Sequence, residues 1–259
     1  MRRRWIGPVL LTLVVTALTA LTACSTPGAR TSERAADPSG VSWRAGTSAD
    51  VLSSFRSTPW NTEDADDPRA VASPDVPGAT AVAFTVPAGG TRSELEPAFR
   101  SFREGDDWFF GLALHLADDF PVGTSDWQVV AQWKNYGDGS PPLSVKVGGG
   151  RFLLDGGEGI GKHWQRDIGP ARAGQRVDLV LGVHFSSDAD EGAVDVWQDG
   201  RRLVSGFHPR GGTLYPDEVS YMKLGLYRSD GIDEAGTVVY DDVTIARTLG
   251  AASVLAPSP

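Results

Sequence analysis

Residues 221–229 read YMKLGLYRS. Side chains of a β-strand alternate between its two faces, so Tyr221, Lys223, Gly225 and Tyr227 share one side, and Met222, Leu224 and Leu226 share the other. The apolar set belongs against a core. The opposite set carries two phenols and an ammonium around a glycine. It reads either as solvent-facing polarity or as the floor of a binding site that leaves room for a ligand. The same period of two recurs outward along the chain in TAVAFTV, DWFFGLALHL, DWQVVAQWK, LSVKV, RVDLVLGVHF, AVDVWQ and TVVYDDVTI, separated by Gly, Pro and Asp signals. Helical periodicity is almost absent. Many short strands bounded by turn residues indicate an all-β sandwich or barrel. Asp199-Gly200 marks a two-residue hairpin. Trp108, Trp127, Trp133, Trp164 and Trp197 lie in or beside these runs and are expected to be mostly core.

Sorting faces brings out the chemistry. In DWFFGLALHL the even positions Trp108, Phe110, Leu112, Leu114 and Leu116 are large and apolar, whereas Phe109, Gly111, Ala113 and His115 form a small-residue face ending in an imidazole. In DWQVVAQWK, strict alternation puts Trp127, Val129, Ala131 and Trp133 on one side and Gln128, Val130, Gln132 and Lys134 on the other. In TRSELE, Arg92, Glu94 and Glu96 share a side. If these faces belong to one curved sheet, Arg92, Glu94, His115, Gln132, Lys134, Tyr221, Lys223 and Tyr227 line a single groove.

The chain ends read differently. Arginines at 2–4 precede a short apolar run at 9–20, too short to span a bilayer comfortably, which closes on Leu21-Thr22-Ala23-Cys24. That order resembles a bacterial lipoprotein signal over 1–23 with Cys24 lipidated, an ordinary secretory signal being the alternative. The paired arginines hint at twin-arginine export. Residues 24–40 read as a flexible tether and 249–259 as a disordered tail, leaving one domain over 41–248. The expected location is the outer face of the bacterial cell membrane through the lipid on Cys24, or the medium. With a single cysteine there is no internal disulfide, so the core alone must hold the domain. The formal charge is −9, and removing the three signal arginines takes it to −12. This argues against nucleic acid as a partner and makes any basic cluster a local exception. A monomer is expected.

Three segments, in order, carry a family resemblance: Arg92-Ser93-Glu94-Leu95, Gln132-Trp133-Lys134, and Tyr221 to Tyr227 as Tyr-x-Lys-x-Gly-x-Tyr. They resemble polysaccharide lyases with a concanavalin-A-like β-jelly-roll, on the side of the heparin-lyase-I-like and glucuronan-lyase enzymes and related to alginate lyases. DDFP at 118–121, QWKNYGDGSPPLSV at 132–145, GAVDVWQDG at 192–200 and VVYDDVTI at 238–245 add to it. The resemblance implies a jelly-roll sandwich with a concave substrate groove, and β-elimination in an acidic, uronic-acid-containing polysaccharide. On that reading Arg92, Gln132 and Lys134 grip the uronate carboxylate. Tyr221 exchanges protons, aided by neighbouring cations that favour its phenolate. Lys223, Tyr227 and Glu94 support or line the substrate site. Several relatives carry histidine where this chain has Lys134, so either Tyr221 serves as both base and acid or His115 supplies the imidazole.

Blander readings stand beside these. His115 reads equally as a structural histidine, Arg92 with Glu94 as an ion pair, and His163, His184 and His208 as surface or structural groups. No cofactor is required. Asp241-Asp242 or the acidic run at 188–191 offers oxygens for a structural Ca²⁺, but the spacing matches no calcium loop and a solvated turn is preferred. No metal site is expected. A lectin-like module that binds acidic glycans without cutting them is the alternative function. A retaining glycoside hydrolase ranks last, because Glu94 and Glu96 lack the usual spacing.

Overall fold

In the computed structural model, residues 40–46 and 48–253 are described. The signal, Cys24 and all of the tether except Gly40 lie outside them, as do residues 254–259 of the tail. The strands are β1 (Val41–Arg44), β2 (Phe55–Arg56), β3 (Thr62–Glu63), β4 (Arg69–Ala72), β5 (Thr80–Val86), β6 (Arg92–Pro97), β7 (Asp106–Leu116) and β8 (Gln128–Asn135). They continue as β9 (Leu143–Gly148), β10 (Arg151–Gly156), β11 (Trp164–Pro170), β12 (Gln175–Phe185), β13 (Ala193–Gln198), β14 (Arg201–Phe207), β15 (Ser220–Arg228) and β16 (Gly236–Ala246). Every alternating run named from sequence lies on one of these. β10 and β11 were not read from sequence.

Two antiparallel sheets form the jelly-roll sandwich. The back sheet has the order β14-β13-β12-β7-β16-β5-β4, with β1 also on β16. The front sheet has the order β11-β10-β9-β8-β15-β6-β2, with β3 also on β6. Asp199 and Gly200 take φ values of 51° and 76° between β13 and β14, the left-handed pair a two-residue hairpin requires. The even face of β7 enters the core as expected, and Phe110 meets Trp133 of β8 at 4.8 Å between ring centroids. Phe102 stacks on Phe185 at 4.9 Å. Each such buried side chain contributes about 1.5–3 kcal/mol. The Tyr240 hydroxyl of β16 donates to the Val130 carbonyl of β8, bonding one sheet to the other through the core.

β8 departs from strict alternation. Val129 pairs with Lys146 and Ala131 with Val145, so Val130 is an extra residue, a β-bulge. Val130, Ala131 and Trp133 all pack in the core, and the phase slips by one. As a result Trp127 and Val129 join Gln132 and Lys134 on the outer face, contrary to the expected grouping.

Gly225 has a different purpose from the one expected. Its φ is +143°, and a Cβ there would lie 2.2 Å from the Ser93 carbonyl oxygen and 2.8 Å from Phe84. The glycine is demanded by the close approach of β6 and by the core, not by a ligand. Gly225→Ala is expected to destabilise the domain by about 3 kcal/mol, read as a lower denaturant midpoint at unchanged slope. Stability within about 0.5 kcal/mol of the parent would refute the assignment.

At the C-terminal end, Leu249–Ala252 form one helical turn capped by Thr248, whose hydroxyl accepts from Ala251 N at 3.2 Å. Ala252 is buried against Val180 and Ala246. The expected disordered tail therefore does not start at residue 249.

Candidate active site

The outer face of the front sheet carries a groove of about 920 Å³. Its floor follows from register. On β15, Tyr221 lies opposite Lys134 and Lys223 opposite Gln132 of β8. On the other edge Gly225 lies opposite Glu94 and Tyr227 opposite Arg92 of β6. Four cations line the groove, Arg92, Lys134, Lys146 and Lys223, against two carboxylates, Asp138 and Glu158. This is the basic exception in an acidic chain.

Beneath the floor sits Glu94, only 1% exposed. Its carboxylate takes Lys223 Nζ at 2.5 Å, Gln132 Nε2 at 2.6 Å and Arg92 Nε at 3.6 Å. The ion pair read for Arg92 and Glu94 is present, and with both oxygens committed Glu94 orients the groups that face the groove rather than lining it itself. Gln132 spends one amide hydrogen on Glu94 and keeps the other. Arg92 donates to the Trp60 carbonyl at 2.8 Å and lays its guanidinium 3.9 Å from the Tyr227 ring centroid.

Lys134 was expected to bind carboxylate. Its ammonium donates to Asn135 O at 3.0 Å, Asn135 Oδ1 at 3.0 Å and Gly137 O at 2.8 Å, which uses all three of its hydrogens. It pins the 135–141 loop, whose Tyr136 ring lies tilted against that of Tyr221, 5.0 Å between centroids. Burial lowers the Lys134 pKa. Tyr221 moves opposite to expectation. Burial first, then the charges of Glu96 and Glu94, push its phenol up to about 12, so it holds its proton at neutral pH.

His115 does not reach the groove. It lies on β7, which pairs with β12 and β16 in the back sheet. The even-numbered side chains of β7 fill the core, so His115 faces outward on the opposite side of the sandwich, where Nδ1 lies 2.9 Å from Asp75 Oδ2. The imidazole expected to replace a family histidine is therefore a structural one. His184 pairs with Asp107 at 2.8 Å and His163 with Asp155 at 2.9 Å. None of the chain's four histidines lines the groove. Asp241 and Asp242, considered for calcium, are engaged by Arg176 and Arg44. Among the described residues no group of three or more His, Cys, Asp or Glu is placed to hold a metal ion.

Sequence reasoning missed the aromatic walls. Trp60 is 58% exposed, Trp127 40% and Tyr136 64%, and all three line the groove. Trp127 meets Tyr227 edge-on at 4.7 Å. Exposed aromatic faces thus stand beside the cationic floor. The signal available was position: Trp60 and Tyr136 lie outside the alternating runs, and Trp127 lies at the very start of one.

No curated protein sequence matches the chain. Among solved structures, alginate lyase A1-II' superposes with a TM-score of 0.52 at 16% identity, covering 68% of this chain and 82% of that one. A variant of that enzyme in complex with product superposes with a TM-score of 0.52 at 14% identity, covering 81% and 96%. At these identities the likeness is one of fold. A family model described as polysaccharide lyase matches residues 52–244. The chain belongs to the polysaccharide lyase family.

Proposed function

We propose that this polysaccharide lyase cleaves a uronic-acid-containing polysaccharide by β-elimination. The observation that carries the reading is the pairing of Arg92 and Gln132, both fixed by buried Glu94, in a cationic groove walled by exposed aromatics. Removing the C5 proton of a uronate pushes negative charge onto its carboxylate. Preorganised donors aimed at that charge supply the largest catalytic gain. Arg92 and the free amide hydrogen of Gln132 are those donors, while Lys223, held by Glu94, adds positive potential from beneath.

The proton-transfer group must adjoin the carboxylate binder, because C5 is bonded to the carboxyl carbon. Tyr227 is the phenol whose ring face carries the Arg92 guanidinium, 3.9 Å from its centroid, so it stands directly beside the carboxylate binder. Tyr221, kept protonated by burial and two carboxylates, is better suited to donate a hydrogen bond to a sugar hydroxyl. Geometry thus favours Tyr227 over Tyr221 as the acid–base group. The leader at 1–23 and Cys24 support export and lipid anchoring, which would place the groove where exogenous polymer is met.

The test is ultraviolet absorbance of the conjugated product when the full chain meets soluble polyuronates. A rise with at least one polymer is the expected outcome. A flat trace with retained binding would turn the same groove into a lectin site.

A further inference from the structure

Beyond the groove lies a second cavity of about 550 Å³, and the two share a wall. That wall is the 157–162 turn between β10 and β11. Glu158 lines the groove, whereas Gly161 and Lys162, three and four positions further on, line the second cavity with Asp190, His208 and Arg210. The turn is tied in place. The Tyr215 hydroxyl accepts from Gly159 N at 3.0 Å and donates to Ser140 O at 2.9 Å, and Gly211 packs against Ile160 and Lys162.

Two cations and an imidazole meet one carboxylate in this cavity. Lys162 and His208 are exposed and, among the described residues, their side chains have no hydrogen-bond or ion-pair partner. Arg210 donates to the His163 carbonyl, and no carboxylate neutralises it among the described residues. In a chain of formal charge −9, uncompensated cations around a cavity are an exception that draws anions to that spot. A line of donors also joins the cavity to the groove. Lys146 lines the groove, and its Nζ lies 2.5 Å from Asp155 Oδ1. The other oxygen of Asp155, a residue only 3% exposed, lies 2.9 Å from His163 Nε2. His163 then offers its carbonyl to Arg210. The line crosses β9 and β10 and reaches the start of β11, the free edge of the front sheet. Asp155 thus does for Lys146 and His163 what Glu94 does for Lys223 and Gln132.

We propose that the second cavity is a distal subsite for the polysaccharide itself, in which uronates of the chain held by the groove cross the 157–162 turn and set their carboxylates against Lys162 and Arg210. The proposal rests on the uronic-acid reading given above. At about 550 Å³ the cavity is far larger than an inorganic anion and falls within the range of pockets that take organic ligands. Two points of attachment on one chain make the second contact intramolecular, so the gain in affinity goes only to chains long enough to reach both. Long polymer is therefore retained, and a short product, held at one point, leaves.

The experiment compares the full chain with its Lys162→Glu/His208→Ala double variant and with Lys162→Arg, which keeps the charge. Calorimetry gives Kd for a long polyuronate and for the tetrasaccharide of the same polymer, and absorbance of the unsaturated product gives KM and kcat on both. In the double variant, Kd and KM for the long polymer should rise about tenfold. Its kcat, and every value for the tetrasaccharide, should match the parent, as should Lys162→Arg throughout. The difference for long polymer should shrink as salt is raised, because exposed charges are screened. Equal weakening at both lengths, or none at either, would overturn the distal subsite. Binding by the parent with a flat absorbance trace would overturn the elimination reading, and the comparison of Kd by length would still decide the subsite. A parent that binds no polyuronate would overturn both.

Discussion

Tyr227→Phe should lower kcat on a cleaved polyuronate by about 10³- to 10⁴-fold, the range of a lost acid–base group. KM should change little, because the ring stays between Arg92 and Trp127 while only the hydroxyl is removed. Tyr221→Phe should cost no more than about tenfold, the scale of one hydrogen bond to substrate. The asymmetry follows from environment. Both phenols lie on the same face of β15, but one touches a guanidinium and the other is held protonated by burial, Glu96 and Glu94. Steady-state kinetics on both variants, with circular dichroism to establish folding, decides it. If Tyr221→Phe is the inactive variant, the sequence expectation stands and the Arg92 contact is only packing. If both lose about 10³-fold, Tyr227 is not the sole phenol that turnover depends on, and its assignment as the acid–base group fails.

Most of the fold could be read from alternation, because a half-buried strand writes its two environments into every second residue. The eight runs named from sequence all lie on strands, and Asp199-Gly200 turns where a two-residue hairpin was expected. What alternation does not encode is which strands are neighbours. Arg92, Gln132, Tyr221 and Tyr227 were grouped by their polar faces, and β6, β15 and β8 are indeed adjacent. His115 was grouped by the same criterion, yet β7 lies in the other sheet, since an outward face looks the same on either side of a sandwich. The bulge at Val130 was equally hidden. One extra residue reversed the facing of Trp127 and Val129, and no local residue type marks it. The roles of Glu94 and Lys134 depend on which partners their charges find, and those partners are 38 residues away for Gln132 and Glu94 but adjacent for Lys134 and Asn135.

Glu94→Gln should damage stability and catalysis together, and the two losses can be separated. The substitution keeps the side-chain shape but leaves the Lys223 ammonium buried without its counter-charge, Lys223 being 3% exposed. Breaking one partner of such a pair costs about 3–5 kcal/mol, seen as a lower denaturant midpoint. With one oxygen and no charge, the neutral amide can accept from Gln132 Nε2 or from Lys223 but not from both, and it no longer attracts Arg92. Misplacing the carboxylate binders should lower kcat/KM by about 100-fold. Adding Lys223→Met removes the stranded charge, so the double variant should recover stability to within about 1 kcal/mol of the parent. Its activity should stay low, because the negative charge that holds Arg92 is still missing. Recovery of activity along with stability would mean that Glu94 serves only to neutralise Lys223. A double variant that is stable but inactive assigns to one buried carboxylate the alignment of the groups that meet the substrate.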